Sequence, residues 1–143
     1  MVSQTKSTKQ AFFTDKGFYK ALEKDISSAN RSIHMEIYIL EHDHITSPIF
    51  SAIRKKASQG IDVQIVADSF GSSRLKKHIN ALERDGVKIK MFHPLLISSG
   101  IRRNFRRTHR KIISIDDNIA YIGSANISRN YLDWRDITLR LEG

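Results

Sequence analysis

The chain has 143 residues, of which 24 are Lys or Arg and 15 are Asp or Glu, giving a net charge of +9. That length suits one domain with its own core, and 40% apolar with 27% charged residues is a globular composition, not a disordered one. The absence of cysteine excludes disulfides, thiolate zinc sites and cysteine nucleophiles, while a pI near 10 favours a polyanionic partner, either nucleic acid or an anionic lipid surface.

Residues 1–11 read as a flexible tail and 12–143 as a single domain. The tail is polar and basic, without the apolar stretch of a secretory signal. The longest nearly apolar run, Ile33 to Leu40, is far too short to span a bilayer. These features lead to the expectation of a cytoplasmic domain, compatible with peripheral contact at the inner face of a membrane.

Asp15 is placed to cap a helix running to about Asn30, with Phe18, Leu22, Ile26 and Ala29 forming one apolar stripe. Arg31 to Leu40 alternates as a strand, with Ile33, Met35, Ile37 and Ile39 on one side and His34, Glu36 and Tyr38 on the other. Ser47-Pro48 opens a second helix, carrying Ile49, Ile53 and Ala57 and ending at Gly60. A strand follows over 61–67, then a helix over 73–85 closed by Gly86, then a strand over 87–92. This alternation predicts an α/β fold with a mixed, mostly parallel sheet flanked by helices on both faces. Asp68 and His93 fall at strand ends, where such sheets place ligands, although capping is the simpler role for a loop carboxylate.

Residues 93–107 carry no regular pattern. Thr108 to Ile115 reads as a strand, Asp116-Asp117-Asn118 as a tight turn, and Ile119 to Gly123 as the returning strand. The last strand, Trp134 to Leu141, places Asp136, Thr138 and Arg140 on one side and Ile137, Leu139 and Leu141 on the other. A hairpin centred on Asp117 sets His109 opposite Ala125. It gathers His109, Lys111, Ser124 and Asn126, with Gly123 permitting close backbone approach. A helix beginning near Ser124 would add free N–H groups for an anion. Ordinary hairpin packing is the alternative reading of the same residues.

His109-Arg110-Lys111, four residues, Asp116, six residues, then Gly123-Ser124-Ala125-Asn126 resembles the HKD motif of the phospholipase D superfamily at every specified position. Segments 17–22, 32–39 and 134–143 extend the resemblance to the N-terminal half of bacterial cardiolipin synthases. It implies a phospholipase D-like fold and two-step phosphodiester transfer needing no cofactor or metal. His109 would form a covalent phosphohistidine, Lys111 and Asn126 would hold nonbridging oxygens, and Ser124 would add a hydrogen bond. Asp136 corresponds to an acidic residue that orients a catalytic imidazole; a surface ion pair with Arg135 or Arg140 is its simpler reading. Glu36 matches a cardiolipin synthase glutamate and is read as substrate-binding or as one member of a polar pair. Asp116 belongs to the motif, yet along an extended strand it stands about 20 Å from His109, which suits turn fixing better than chemistry. His42-Asp43-His44 is the nearest metal-like cluster and lacks a third ligand.

In-line displacement puts attacking and leaving groups on opposite sides of phosphorus, so one imidazole cannot serve both in one step. Family members use two motifs, and this chain has one. The expected partner is a second copy in a two-fold homodimer, or a second HKD half if the chain is the N-terminal part of a longer protein. The run from Arg102 to Lys111 holds six cations in ten residues, and Arg103, Arg106, Arg107 and Arg110 are read as a funnel for anionic substrate. Three functions follow: a cardiolipin synthase-like phosphatidyltransferase on anionic phospholipid, a metal-independent homodimeric endonuclease on DNA or RNA, or an inactive phosphodiester-binding half-module.

Overall fold

The computed structural model describes residues 8–14, 16–92 and 109–143. Seven strands form one sheet: β1 (Lys9–Phe13), β2 (Ser32–Ile37), β3 (Asp62–Asp68), β4 (Lys88–Phe92), β5 (Lys111–Ile115), β6 (Ile119–Gly123) and β7 (Thr138–Glu142), in spatial order β1-β7-β6-β5-β2-β3-β4. The helices are α1 (Gly17–Ser28), α2 (Ser47–Ser58) and α3 (Ile79–Arg84), the last preceded by a 3-10 turn over Ser73–His78.

The expectation of a mostly parallel sheet needs correction. Only β2–β3 and β3–β4 are parallel, whereas β1–β7, β7–β6, β6–β5 and β5–β2 are antiparallel. The β–α–β rhythm holds for residues 32–92 alone. Beyond it, the three-residue turn Asp116-Asp117-Asn118 sends β6 back along β5, and β1 and β7 complete the antiparallel half. The sheet also begins earlier in the sequence than the expected domain start at residue 12. Lys9 to Ala11 already belong to β1, which zips onto β7 from Lys9–Glu142 to Phe13–Thr138.

Alternation decides which side of the sheet is covered. In register, Ile33 pairs with Val63, Met35 with Ile65 and Ile37 with Ala67, and Ile113 and Ile115 continue that layer on β5. All are buried in one core with Phe18, Leu22 and Ile26 of α1, Ile49, Phe50 and Ile53 of α2, and Leu75 and Leu82. A methylene removed from water contributes roughly 0.8 kcal/mol, so this layer is the main stabilising element. The other side shows His34, Gln64, Lys88, Phe12, Ile112 and Ile122 to solvent, and no described helix covers it. Helices therefore lie on one face among the described residues, not on both.

Local boundaries follow their chemistry. Gly60 and Gly86 adopt φ of +87° and +98°, ending α2 and α3 as expected. Pro48 lies in the first turn of α2, where its missing N–H costs nothing, although Ser47 is already helical and Thr46 stands at the cap. The Lys56 ammonium donates to the Ala29 carbonyl at 2.8 Å, closing the end of α1 from α2. Asp15 and His93 lie outside the described residues. Asp68 takes the capping role: its Oδ1 accepts from the amides of Phe70 and Gly71 at 2.9 and 3.0 Å.

A buried polar link joins α1 to the antiparallel half. Arg140 donates to both oxygens of Asp25, at 2.6 and 3.1 Å, and the Tyr121 hydroxyl donates to the same carboxylate. Burial and the adjacent carboxylate push the Tyr121 phenol well above its ordinary pKa. The ion pair with Asp25 raises that of Arg140 further.

Candidate active site

The carboxyl ends of β2 and β3 meet the start of β5, the end of β6 and the start of β7 at one edge of the sheet. His109 and Lys111 enter that edge from β5. The β5–β6 ladder runs from Ile115–Ile119 to Ile112–Ile122, and the same register carried outward sets His109 opposite Ala125. The turn that follows β6 leaves the sheet at the same end as Lys111, the first residue of β5.

His109 is exposed, and its ring lies over Tyr38, with centroids 4.2 Å apart and planes 31° from parallel. Lys111 passes the same ring, its ammonium 5.5 Å from the centroid, and donates to the His109 carbonyl at 2.9 Å. Partial burial lowers the Lys111 pKa, and the nearby charge of Asp136 works in the opposite direction. Tyr38 is thus a shared platform for the two cationic or nucleophilic groups. Sequence alternation placed it on the His34 side of the strand without indicating this contact.

Gly123 shows why the turn begins with glycine. A Cβ there would come within 2.2 Å of the Ile137 carbonyl oxygen and 2.7 Å of the Thr138 Cα, so only a bare backbone fits against β7. Ser124 then bridges the same strand entry. Its hydroxyl donates to Asp136 Oδ1 at 2.7 Å and accepts from the Ile137 amide at 3.1 Å. The hydroxyl's single proton is committed to Asp136, so the arrangement favours positioning over direct contact with substrate. Asp136 is joined to neither Arg135 nor Arg140 among the described bonds, since Arg140 is directed at Asp25 and Glu142.

Asn126 is 9% exposed. Its carboxamide oxygen accepts from the Ile39 amide at 3.3 Å, and its carbonyl accepts from the Tyr19 hydroxyl at 2.8 Å. Fixing the oxygen leaves the Nδ2 hydrogens as donors, the polarity a phosphoryl oxygen requires. No helix starts at Ser124. The chain instead makes a bridge between Ile127 and Leu40 and a 3-10 turn over Arg129–Tyr131, so the expected helix N-terminus is absent from this site. Two residues that hold this loop escaped the sequence reading. Tyr19 contacts both Asn126 and Ser128, and Glu41 accepts from the Ser128 hydroxyl and from Asn130 Nδ2.

Asp116 sits at the opposite end of β5 from His109. Its carboxylate accepts from the amides of Asn30, Arg31 and Ser32 at 2.8, 2.7 and 3.0 Å, clamping the α1–β2 turn. Burial opposes its charge, but these three amides together with the Arg31 guanidinium hold its pKa below the usual carboxylate value. Glu36 lies on the open side of the sheet, 3.7 Å from the Arg110 guanidinium in an exposed pair. Arg103, Arg106 and Arg107 are outside the described residues. Asp43 accepts amides from Ile45, Thr46 and Arg129, and His42 stacks on His78 and meets Phe50 edge-on, so that loop is accounted for by its own packing. No group of three or more His, Asp or Glu among the described residues is placed to hold a metal ion.

Residues 22–141 match the family model described as cardiolipin synthase, PLD-like domain. A cardiolipin synthase of Clostridium perfringens is 35% identical over 140 residues, covering 92% of this chain and 29% of the relative. Cardiolipin synthase 1 of Staphylococcus epidermidis is 36% identical over an alignment of 151 positions, covering 97% of this chain and 30% of its own length. The chain thus spans about a third of the curated relatives it matches. Among solved structures, NucT from Helicobacter pylori superposes with a TM-score of 0.72 at 27% identity, covering 95% of this chain and 86% of NucT. The phospholipase D family member Nuc from Salmonella typhimurium shares the fold, with a TM-score of 0.70 at 21% identity over 96% of this chain and 83% of Nuc. The chain belongs to the phospholipase D superfamily, as a member of its cardiolipin synthase PLD-like domain family.

Proposed function

We propose that this domain carries out phosphatidyl transfer on anionic phospholipid through a covalent phosphohistidine at His109. The observation that supports this most strongly is the convergence of His109, Lys111 and the 123–126 turn at one sheet edge. Neutral imidazole is nucleophilic near pH 7 and needs no metal to attack. A His109 ring nitrogen attacks phosphorus, the N–P bond forms and the bond to the leaving alcohol oxygen breaks. A second histidine, from a partner copy or a second HKD half, gives its proton to that oxygen. It then takes a proton from an incoming alcohol or water, whose oxygen displaces His109 and restores the free imidazole. Lys111 and Asn126 Nδ2 hold the nonbridging oxygens as charge builds on them. Asp136, fixed by Ser124, sets the local field around Lys111, and Arg103, Arg106, Arg107 and Arg110 draw the anionic substrate inward.

The domain works at a membrane surface through peripheral contact on this reading. No helix among the described residues is long and apolar enough to cross a bilayer. The second reading is a homodimeric endonuclease, favoured by the similarity that covers most of NucT and by the pI near 10. Incubation in EDTA with phosphatidylglycerol vesicles, and separately with plasmid DNA, distinguishes the two. Glycerol release that His109→Ala abolishes, with DNA intact, is the expected result. Nicked plasmid with unreacted lipid would transfer the assignment to the nuclease, and binding without turnover of either would make the chain a passive half-module.

A further inference from the structure

Next to the candidate site, two cavities share the walls Lys16, Tyr19 and Leu132. The inner one, about 20 Å³, touches Asn126, Asp136 and Thr138. That volume admits about one water-sized group. The Thr138 hydroxyl is buried there and has no hydrogen-bond partner among the described residues. The outer cavity is a groove of about 250 Å³ between the first turns of α1 and α2. Ile45, Pro48, Ile49 and Leu132 give it a largely apolar lining. Lys16 and Lys20 stand on its rim with Glu23. Ile45 is 37% exposed, an apolar side chain left at the edge of an apolar groove.

A polar end at the reacting group, an apolar trough beyond it and cations along the rim match the anatomy of a single amphiphile. We infer that the groove between α1 and α2 receives one fatty-acyl chain of an anionic phospholipid whose phosphate lies at His109, Lys111 and Asn126. The inference rests on the phospholipid reading proposed above. The acyl chain is the chosen occupant because the groove shares three wall residues with the inner cavity, which reaches Asn126 and Asp136, and because its lysines complement an anionic headgroup. Nucleic acid has no apolar segment of that shape to place there.

Trp134, the chain's one tryptophan, lines the inner cavity and is a built-in reporter. The test titrates the protein with glycerophosphoglycerol, dibutyryl-phosphatidylglycerol and dihexanoyl-phosphatidylglycerol below their micelle concentrations, reading Trp134 emission. Each methylene that enters an apolar groove strengthens binding about fourfold, so the two added to one chain give a gain of about fifteenfold from butyryl to hexanoyl. Ile45→Ser, at a half-exposed position that tolerates a polar side chain, is expected to cut that gain to about fivefold or less. Equal affinity for the two lipids overturns the inference without any variant being needed. So does a gain that Ile45→Ser leaves whole. Glycerol release from phosphatidylglycerol without a chain-length gain removes the groove and keeps the proposed function; a chain-length gain without turnover keeps the groove and removes the function.

Discussion

Replacing Asp116 by Ala removes the acceptor of three backbone amides at 2.7 to 3.0 Å. A hydrogen bond to a charged group contributes about 1.5–3 kcal/mol when water is excluded, and far less where water can replace it. The amides of Asn30 and Arg31 are exposed and that of Ser32 is half-buried. One full and two partial contributions come to about 3 kcal/mol. Asp116 also holds φ at 52°, a left-handed conformation that Asp and Asn tolerate better than Ala, adding about 1 kcal/mol. Asp116→Ala should therefore lower stability by about 4 kcal/mol and Tm by about 12 °C for a domain of this size. Asp116→Asn keeps one accepting oxygen and the turn, and should lose about half as much. The folded carboxyl has a lowered pKa, so its contribution is complete above the unfolded value near 3.9 and is lost as pH falls through the folded one. The gap between wild type and Asp116→Asn should accordingly be constant near neutrality and close below about pH 4. Thermal melts over pH 2–8, with turnover per folded molecule measured beside them, form the assay. Turnover should stay within about twofold of wild type, because Asp116 lies roughly 20 Å from His109 along the strand. An Asp116→Asn protein that melts like wild type yet is inactive would refute the reasoning and place the carboxylate in the chemistry.

Gly123→Ala should destabilise by at least about 3 kcal/mol in urea unfolding, since its Cβ meets the Ile137 carbonyl at 2.2 Å and β7 would have to move. Arg140→Met leaves the Asp25 carboxylate largely buried without its cation and should cost about 3–5 kcal/mol, most of it recovered in Asp25→Leu/Arg140→Met. Tyr38→Ala should lower kcat/KM for phosphodiester turnover about three- to tenfold by freeing the imidazole, while Tyr38→Phe, which keeps the ring, should match wild type.

The local elements were legible because their signals are local. The apolar stripe of α1, the alternation of β2 and the glycines at 60 and 86 each report a backbone conformation within a few residues. The hairpin was legible too, since two extended segments around Asp116-Asp117 admit little but a tight turn, and both residues adopt positive φ. Sheet direction was not. Pairing β5 with β2 antiparallel depends on how the chain returns after β4, and no periodicity encodes that. Within the site, the motif spacing singled out His109, Lys111, Ser124 and Asn126 as candidates. It could not indicate that Ser124 donates to Asp136, because that bond requires β7 to arrive beside the turn. Nor could it identify Tyr38 beneath His109 or Tyr19 beneath Asn126, contacts made by residues 71 and 107 positions away in the chain. Asp116 shows the reverse case: the rise along the strand was enough to put it at the far end of β5 from His109, where its carboxylate accepts three backbone amides.

The claim on which the mechanism depends is that phosphorus is transiently bonded to residue 109. Quenching a turnover mixture in alkali with phosphorus-labelled phosphatidylglycerol, followed by peptide mapping, tests it directly. The account requires an acid-labile, alkali-stable label on the peptide carrying His109, absent from His109→Ala. Full turnover without a labelled peptide, or a label that persists when His109 is replaced, would contradict it.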